Sequence, residues 1–287
     1  MSSNEPEFVT YQFDAVVDFV RPGQQLPCEV HLHTGQGTYR ARTWLQDNRD
    51  RSTLPIATVT MIATGDADNP GYVVTDLAPC PSHDVFDLIP DNFAADRTGV
   101  ERLRSVVDAI AEASLRRFMA RVFSLRQVFY CFWTCPASQR HHHNFPGGLA
   151  VHSLEMAEGI IANPHLSGSE RDLAIVYAIL HDVGKIWCYR SDGAYGEPLG
   201  HDLALLDHLH PFLRELKAEW PDGELAMRSL LSGLWKHRGH RPIMAIGRLV
   251  QSLDQVSAEQ DLRRSTRCDP RFKPWSPEKP SVRAPRT

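Results

Sequence analysis

Apolar side chains recur at every second position in several short segments of the first eighty residues. The segment Cys28-Glu29-Val30-His31-Leu32-His33 shows this alternation most clearly, and a period of two is typical of a strand with one buried face. Comparable segments, separated by stretches rich in Gly, Asp and Pro, occur at 13–20, 38–45, 56–63 and 72–77. This pattern predicts five strands joined by turns, which suits a small barrel or sandwich.

The period changes to that of a helix near residue 100, where Val100, Leu103, Val107 and Ile110 recur at helical spacing. Further helices are predicted at about 148–162, 170–186, 202–217, 223–237 and 243–260. Beyond residue 262 the chain is basic and rich in proline, a composition that is typical of disorder.

Together these patterns predict an α+β protein in which a small OB-like β-barrel module is followed by an all-α helical bundle. The barrel domain is expected over residues 1–85, the bundle over 86–262 and a disordered, basic tail over 263–287. A chain of 287 residues is long enough for two modest domains. The sequence is compatible with an oligomer but does not determine the oligomeric state.

The composition, with 42% hydrophobic and 23% charged residues, is that of an ordinary globular protein. No apolar run approaches the ~20 residues that span a bilayer, and the N-terminus lacks the features of a secretion signal. We therefore expect a cytoplasmic protein that acts without a membrane. The six scattered cysteines favour reduced thiols. A net charge of −4 argues against wholesale coating of nucleic acid, although the basic tail could hold a polyanion or simply be solvated.

The first candidate for chemistry is the pair His181-Asp182, which follows an apolar stretch. Two adjacent polar residues in a core cost stability unless something satisfies them, and imidazole and carboxylate are common ligands of divalent metals. His152 shares a helical face with apolar neighbours, and Asp254 also lies in an apolar helix. Taken singly, His152 would more often be a satisfied core histidine. Together, the four residues predict one polar site inside the helical domain.

The order His152, His181-Asp182 and Asp254 on successive helices resembles that of the HD-domain metal-dependent phosphohydrolases. The resemblance implies that these four residues bind a divalent metal. A site of imidazole and carboxylate favours Mn²⁺, Fe²⁺, Co²⁺ or Zn²⁺ over Mg²⁺, which prefers oxygen ligands.

The two-metal form of the same family implies two further ligands, His201 and His237, either of which could otherwise be a surface or capping histidine. In that form Asp182 would bridge two ions at the ~3.5–4 Å separation typical of such sites, and water that has lost a proton would attack phosphorus in line. Lys185 follows Asp182 by three residues. It could reach the developing phosphoryl charge, or it could be a solvated lysine at a helix end.

A histidine cluster precedes the first proposed metal ligand, in the segment 136–149. Its Pro-Ala block, His141-His142-His143 and Gly-Gly-Leu look like two related groups. These are the YhaM-type 3′–5′ exoribonucleases, with an OB-fold ahead of an HD domain, and the HD-type conjugative relaxases of the TraI or MobH type. The β-rich N-terminal part favours the former. The chain departs from that pattern at Arg238, where the related exonucleases have a second histidine.

The resemblance implies a metal-dependent phosphodiesterase that acts as a 3′–5′ exonuclease on single-stranded RNA or DNA. Arg238 and the histidine cluster are candidates for holding a substrate phosphate. The alternatives are a relaxase-like protein of mobile elements that nicks DNA, a hydrolase of small nucleotides, and a module that senses metal or nucleotide without turnover.

The predicted strand at 38–45 carries Arg40, Arg42 and Trp44 on one face. Two guanidinium groups and an indole could hold a phosphate backbone and stack a base of a single strand. The alternative is an ordinary solvated strand face, or a Trp44 that belongs to the core.

Overall fold

The N-terminal part of the protein is a closed five-stranded barrel. The computed structural model describes residues 9–20, 26–45, 52–64, 71–96, 98–139, 142–189, 200–236 and 244–266, with the backbone alone at 263–266. The strands are β1 (Val9–Phe19), β2 (Cys28–Thr34), β3 (Gly37–Thr43), β4 (Ile56–Thr64) and β5 (Gly71–Pro79). They close in the order β1-β2-β3-β5-β4, and every pair is antiparallel except the parallel pair of β3 and β5.

A helical region follows the barrel. Its helices are α1 (Val85–Leu88), α2 (Gly99–Asp108), α3 (Ala113–Phe123), α4 (Arg126–Cys131), α5 (Gly148–Ile161), α6 (Gly168–Leu180), α7 (Lys185–Cys188), α8 (His201–Glu219), α9 (Pro221–Leu231) and α10 (Ile246–Thr266). Short 3-10 turns lie at Asp91–Phe93 and Leu234–Lys236. In the part of the chain that is described, no helix is both long and apolar enough to cross a membrane.

Two hydrophobic cores meet along β1. Ala15 and Val17 point into the barrel, whereas Val16 points the other way and packs in the core of the helical region. A strand with both faces covered needs apolar residues at consecutive positions. This explains why the alternation of apolar and polar residues is lost in the second half of β1.

The barrel and the helices are also joined by a partly buried polar network. Arg126 of α4 forms an ion pair with Asp18 of β1 at 2.6 Å, and the Tyr130 hydroxyl donates to the same carboxylate at 2.6 Å. His33 of β2 lies 2.7 Å from that hydroxyl through Nε2 and 2.8 Å from Thr38 Oγ1 through Nδ1.

Helix α6 lies at the centre of the helical region, between α3, α5, α9 and α10. Every residue from Asp172 to Leu180 is buried, which explains its nearly continuous apolar sequence. The predicted helix 170–186 is interrupted: α6 ends at Leu180, and the next residues form tighter turns in which Val183 and Lys185 donate to carbonyl groups three residues back. These turns bring His181 and Asp182 to the middle of the bundle.

The prediction of a barrel followed by a helical region is confirmed. Helix α10 continues four residues past the expected domain boundary at 262. The rest of the predicted tail, 267–287, lies outside the described residues.

Candidate metal centre

Four polar residues from three parts of the helical region converge on one point. His152 lies in α5, His181 and Asp182 directly follow α6, and Asp254 lies in α10. Nε2 of His152 is 3.1 Å from Oδ1 of Asp254 and 3.9 Å from Oδ2 of Asp182. Nε2 of His181 is 3.4 Å from the same Asp182 oxygen. Both imidazoles and Asp182 are buried, whereas the side chain of Asp254 is 40% exposed, so the site opens on the side of α10.

A third imidazole approaches from α8. Nε2 of His201, the first residue of this helix, is 3.3 Å from Oδ1 of Asp182. Asp182 therefore presents one oxygen to His152 and His181 and the other to His201. Gly184 makes this approach possible, because a Cβ atom there would overlap the backbone oxygen of His201.

Ser257 determines which nitrogen of His152 carries the proton. The Ser257 hydroxyl donates to Oε2 of Glu155 at 2.8 Å, so its oxygen must accept from Nδ1 of His152, 3.0 Å away. With the proton on Nδ1, Nε2 of a neutral His152 carries a lone pair that faces Asp254 and Asp182. Burial lowers the pKa of His152, although Asp254 opposes the shift, and this favours the neutral ring.

The same reasoning applies to His181. Its Nδ1 lies 2.8 Å from the backbone oxygen of Ala178, which can only accept, so Nδ1 carries a proton. The Nε2 atoms of His152 and His181 are buried and have no hydrogen-bond partner among the described residues. In a neutral ring this nitrogen carries a lone pair, which a nearby carboxylate oxygen repels unless a cation lies between. Burial lowers the pKa of His181, but Asp182 reverses the shift and raises that pKa, so without a metal ion a proton on its Nε2 would be that cation.

These residues fit a divalent metal ion. Histidine and carboxylate side chains are its usual ligands, and a histidine that binds metal through one nitrogen normally donates its other N–H to a fixed partner. His152 and His181 both meet this second condition, through Ser257 and Ala178. The cluster of His152, His181 and Asp182 could therefore bind a metal.

Lys185 supplies the positive charge nearest to Asp182. Its Nζ donates to Asp182 Oδ2 at 2.5 Å and to the backbone oxygen of Ala137 at 2.6 Å. Burial raises the pKa of Asp182, but His181 and Lys185 oppose this and hold that pKa well below its usual range. Burial lowers the pKa of Lys185, and Asp182 reverses the shift, so that its pKa is raised. With a side chain 12% exposed, Lys185 is not the solvated lysine of the alternative interpretation.

His142, predicted to bind substrate, lies among the candidate ligands. Its ring centroid is 5.3 Å from that of His152. One ligand atom from each of His142, His152 and Asp254 lies within 4.8 Å of the other two. The structure thus gives His142 a position from which it could bind an ion as well as a phosphate.

His143, predicted for the same role, is fully buried behind His152. Its Nε2 lies 3.3 Å from Oε2 of Glu155, and its backbone N–H donates to Oδ2 of Asp261 at 2.6 Å. A Cβ atom at Gly148 would overlap the backbone oxygen of His143. The Gly-Gly pair therefore allows the histidine segment to pack against the start of α5, and His143 supports the site from behind.

Sequence reasoning missed Glu155, Ser257 and Asp261. Glu155 follows His152 by three residues, and Ser257 follows Asp254 by three, so each lies about one helical turn from a candidate ligand. A search for polar residues at that spacing could have found the first two. His141, His237 and Arg238 lie outside the described residues.

The three residues predicted on the barrel face share an exposed surface. Arg40 and Arg42 point outward from β3, and Trp44, just after it, is 58% exposed and does not belong to the core. They line one groove of about 750 Å³ together with Glu29 and Tyr72. The groove thus contains two cations, one carboxylate and two aromatic rings.

Comparisons with known proteins point to nucleases. The chain is 32% identical to the 3′-5′ exoribonuclease YhaM of Geobacillus sp. (strain WCH70) over 88 residues, which are 30% of this chain and 26% of the relative. It is 23% identical to that of Bacillus subtilis (strain 168) over 201 residues, 65% of this chain and 57% of the relative. A relative of the same name in Listeria monocytogenes serotype 4b (strain F2365) is 28% identical over 134 residues, 44% of this chain and 42% of the relative.

The chain thus spans between a quarter and somewhat more than half of the length of these curated relatives. No family model matches the chain, and no solved structure matches it. The low-identity similarity to proteins named 3′-5′ exoribonucleases, together with a His and Asp cluster that could bind metal, supports a nuclease family and a hydrolytic enzyme.

Proposed function

We propose that the protein is an HD-domain metal-dependent phosphodiesterase that degrades single-stranded nucleic acid from the 3′ end. The observation that carries the proposal is the pair of buried imidazoles, His152 and His181, whose Nε2 atoms face the carboxylates of Asp182 and Asp254 and have no hydrogen-bond partner among the described residues. The catalytic domain would span residues 86–262, after an N-terminal barrel domain over 1–85.

In this proposal one ion would be held by His152, His181, Asp182 and Asp254. A second ion would be held by Asp182 and His201, with His237 and His142 as further candidate ligands. The donor set favours Mn²⁺, Fe²⁺, Co²⁺ or Zn²⁺ over Mg²⁺. When bound, such ions lower the pKa of water and stabilise the charge on a phosphoryl group.

The chain's own residues would orient and balance this site. Asp182 is ionised because its pKa is low, and it directs one carboxylate oxygen toward His181 and the other toward His201. Lys185 stays protonated near neutral pH and lies beside Asp182, from where its ammonium group would stabilise charge on a phosphate oxygen. Ser257 and Glu155 hold the His152 ring in one tautomer.

The barrel would bind the strand on which the site acts. Its five strands, order and parallel β3–β5 pair are consistent with an OB-like barrel, a fold that binds oligonucleotides on its β2–β3 face. Arg40, Arg42 and Trp44 lie on β3 or directly after it. Arginines that follow a phosphate backbone and an aromatic ring that stacks a base are the usual elements of single-strand binding. The names of the similar proteins favour RNA.

The test is to incubate the Mn²⁺-loaded protein with single strands labelled at either end and with small nucleotides, and to identify the products. We expect the 3′-labelled strand to release its label as a mononucleotide and the 5′-labelled strand to shorten from its 3′ end. We expect no activity after chelation or in the Asp182→Asn variant. Cleavage at one internal position would favour the relaxase-like alternative. Hydrolysis of nucleotides without cleavage of strands would favour the small-nucleotide hydrolase, and bound metal without turnover would favour a sensor.

A further inference from the structure

A second cluster of metal-binding side chains lies on the barrel, apart from the residues of the candidate centre. Asp14 of β1 meets the connector between β5 and α1, which carries Cys80, Ser82 and His83. Nδ1 of His83 is 2.8 Å from Oδ2 of Asp14. One ligand atom from each of Asp14, Cys80 and His83 lies within 4.8 Å of the others.

The Asp14 carboxylate is held in place from its other side. Asp14 is paired with Thr58 of β4, whose hydroxyl donates to Oδ1 at 2.5 Å. Oδ2 is thereby turned toward the connector. Outer hydrogen bonds of this kind orient carboxylates that bind metals.

The Ser82 hydroxyl lies close to all three ligand atoms. Its oxygen is 3.2 Å from Oδ2 of Asp14, 3.3 Å from Nδ1 of His83 and 3.4 Å from Sγ of Cys80. A tetrahedral zinc ion, with bonds of about 2.0–2.3 Å, holds such ligand atoms about 3.3–3.6 Å apart. The Ser82 oxygen therefore lies at about the distance from the other three atoms that a fourth ligand of the same ion would have. Nδ1 of His83 and Oδ2 of Asp14, now 2.8 Å apart, would have to separate by about 0.5 Å to admit the ion.

We propose that Asp14, Cys80 and His83 form a Zn²⁺ site that fastens β1 to the segment entering the helical region. A thiolate, an imidazole and a carboxylate are a zinc donor set, and a solvent molecule or Ser82 would complete the tetrahedron. The site does not depend on the proposed nuclease activity, because it shares no residue with the candidate centre.

Cobalt distinguishes this site from the other one. A thiolate bound to Co²⁺ gives a sulfur-to-cobalt charge-transfer band, which histidine and carboxylate ligands do not give. The reduced full-length protein is titrated with Co²⁺, and then Zn²⁺ is added. We expect the band in the unmodified protein, its displacement by Zn²⁺ and its complete loss in Cys80→Ser. The variants Asp14→Asn and His83→Gln should weaken Co²⁺ binding at this site at least about tenfold.

Cys188→Ser is the matched control, since Cys188 is another partly exposed free thiol, and it should keep the band. Circular dichroism would establish that each variant is folded. A folded unmodified protein without the band, or a band that persists in Cys80→Ser, would overturn the proposal. If the unmodified protein shows the cobalt band but no nuclease activity, only the proposed function is contradicted.

Discussion

Ser257 accepts a hydrogen bond from His152 across 3.0 Å, although the two residues lie on different helices and 105 positions apart. The contact directs the Nδ1 proton away from the candidate metal centre and leaves Nε2 to face Asp254. The ability of His152 to bind a metal thus depends on a serine that is not itself a candidate ligand.

Replacing this serine should weaken metal binding without unfolding the protein. In Ser257→Ala the His152 ring loses its orienting partner, and we expect metal affinity to fall about 10–100-fold. Isothermal titration calorimetry with Mn²⁺ would measure the change in affinity. Ser252→Ala is the control, since Ser252 lies on the same helix and its hydroxyl donates to the backbone of Arg248. Equal affinities in the two variants would show that the hydrogen bond to Ser257 has no part in metal binding.

Asp182 should be needed for both metal binding and turnover. The substitution Asp182→Asn keeps the shape of the side chain but removes the charge that faces three histidines and Lys185. We expect a loss of activity of more than about 10²-fold and a clear fall in bound metal, read by elemental analysis. Asp207→Asn, an exposed position on α8, should leave both unchanged. Full metal content and turnover in Asp182→Asn would refute its assignment as a ligand.

Lys185 should affect turnover more than metal content. Removing an ammonium group next to Asp182 takes away a charge that competes with a cation, so Lys185→Gln should bind metal at least as well as the unmodified protein. Its kcat should fall about 10²–10³-fold, the usual effect of losing one group that stabilises transition-state charge. A variant that loses metal and turnover in parallel would instead give Lys185 a purely structural role.

Protonation of His33 should destabilise the protein in acid. Burial, with smaller effects of His31 and Arg126, lowers the pKa of His33 from 6.5 to about 3. Below pH 6.5 His33 is protonated in the unfolded chain but stays neutral in the folded protein. Its contribution to the free energy of unfolding is therefore complete above pH 6.5 and is lost as the pH falls toward 3. The free energy of unfolding should fall by about 1 kcal/mol per pH unit between pH 6 and pH 4 because of this residue.

The His33→Gln variant should show a correspondingly flatter dependence of unfolding free energy on pH, measured by urea denaturation. His165→Gln is the control, because His165 is exposed on a loop. Identical pH profiles of all three proteins would mean that His33 does not remain neutral in the fold.

The barrel groove should contribute to binding of long single strands but not to the hydrolytic step. Trp44→Ala should cost about 1–3 kcal/mol of binding if its ring stacks one base. Each of Arg40→Ala and Arg42→Ala should make the negative slope of log K against log salt shallower by about 0.7. Fluorescence anisotropy with a labelled strand measures both effects, and Arg117→Ala on α3 is the control. Unaltered binding in all three groove variants would assign strand binding to another surface.

Much of the fold is determined by local sequence. Apolar residues recur with a period of two in the first eighty residues and with a helical period after residue 100. Each period arises because one face of a strand or helix is buried, so it predicts the type of element directly. The four principal candidate ligands could also be named, since buried polar residues are conspicuous in apolar segments. The break after Leu180 could not be foreseen, because it depends on how the turn packs against α8 through Gly184.

The sequence by itself determined the kinds of element, their order and the identity of the polar residues placed in the core. Only the tertiary structure decided that His152 and Asp254 lie 3.1 Å apart, that Ser257 sets the tautomer of His152, and that Asp14 meets His83. The reason is physical: periodicity reports the environment of one segment at a time. Distances between side chains far apart in the chain arise from the packing of α5, α6 and α10 and from the closure of the barrel.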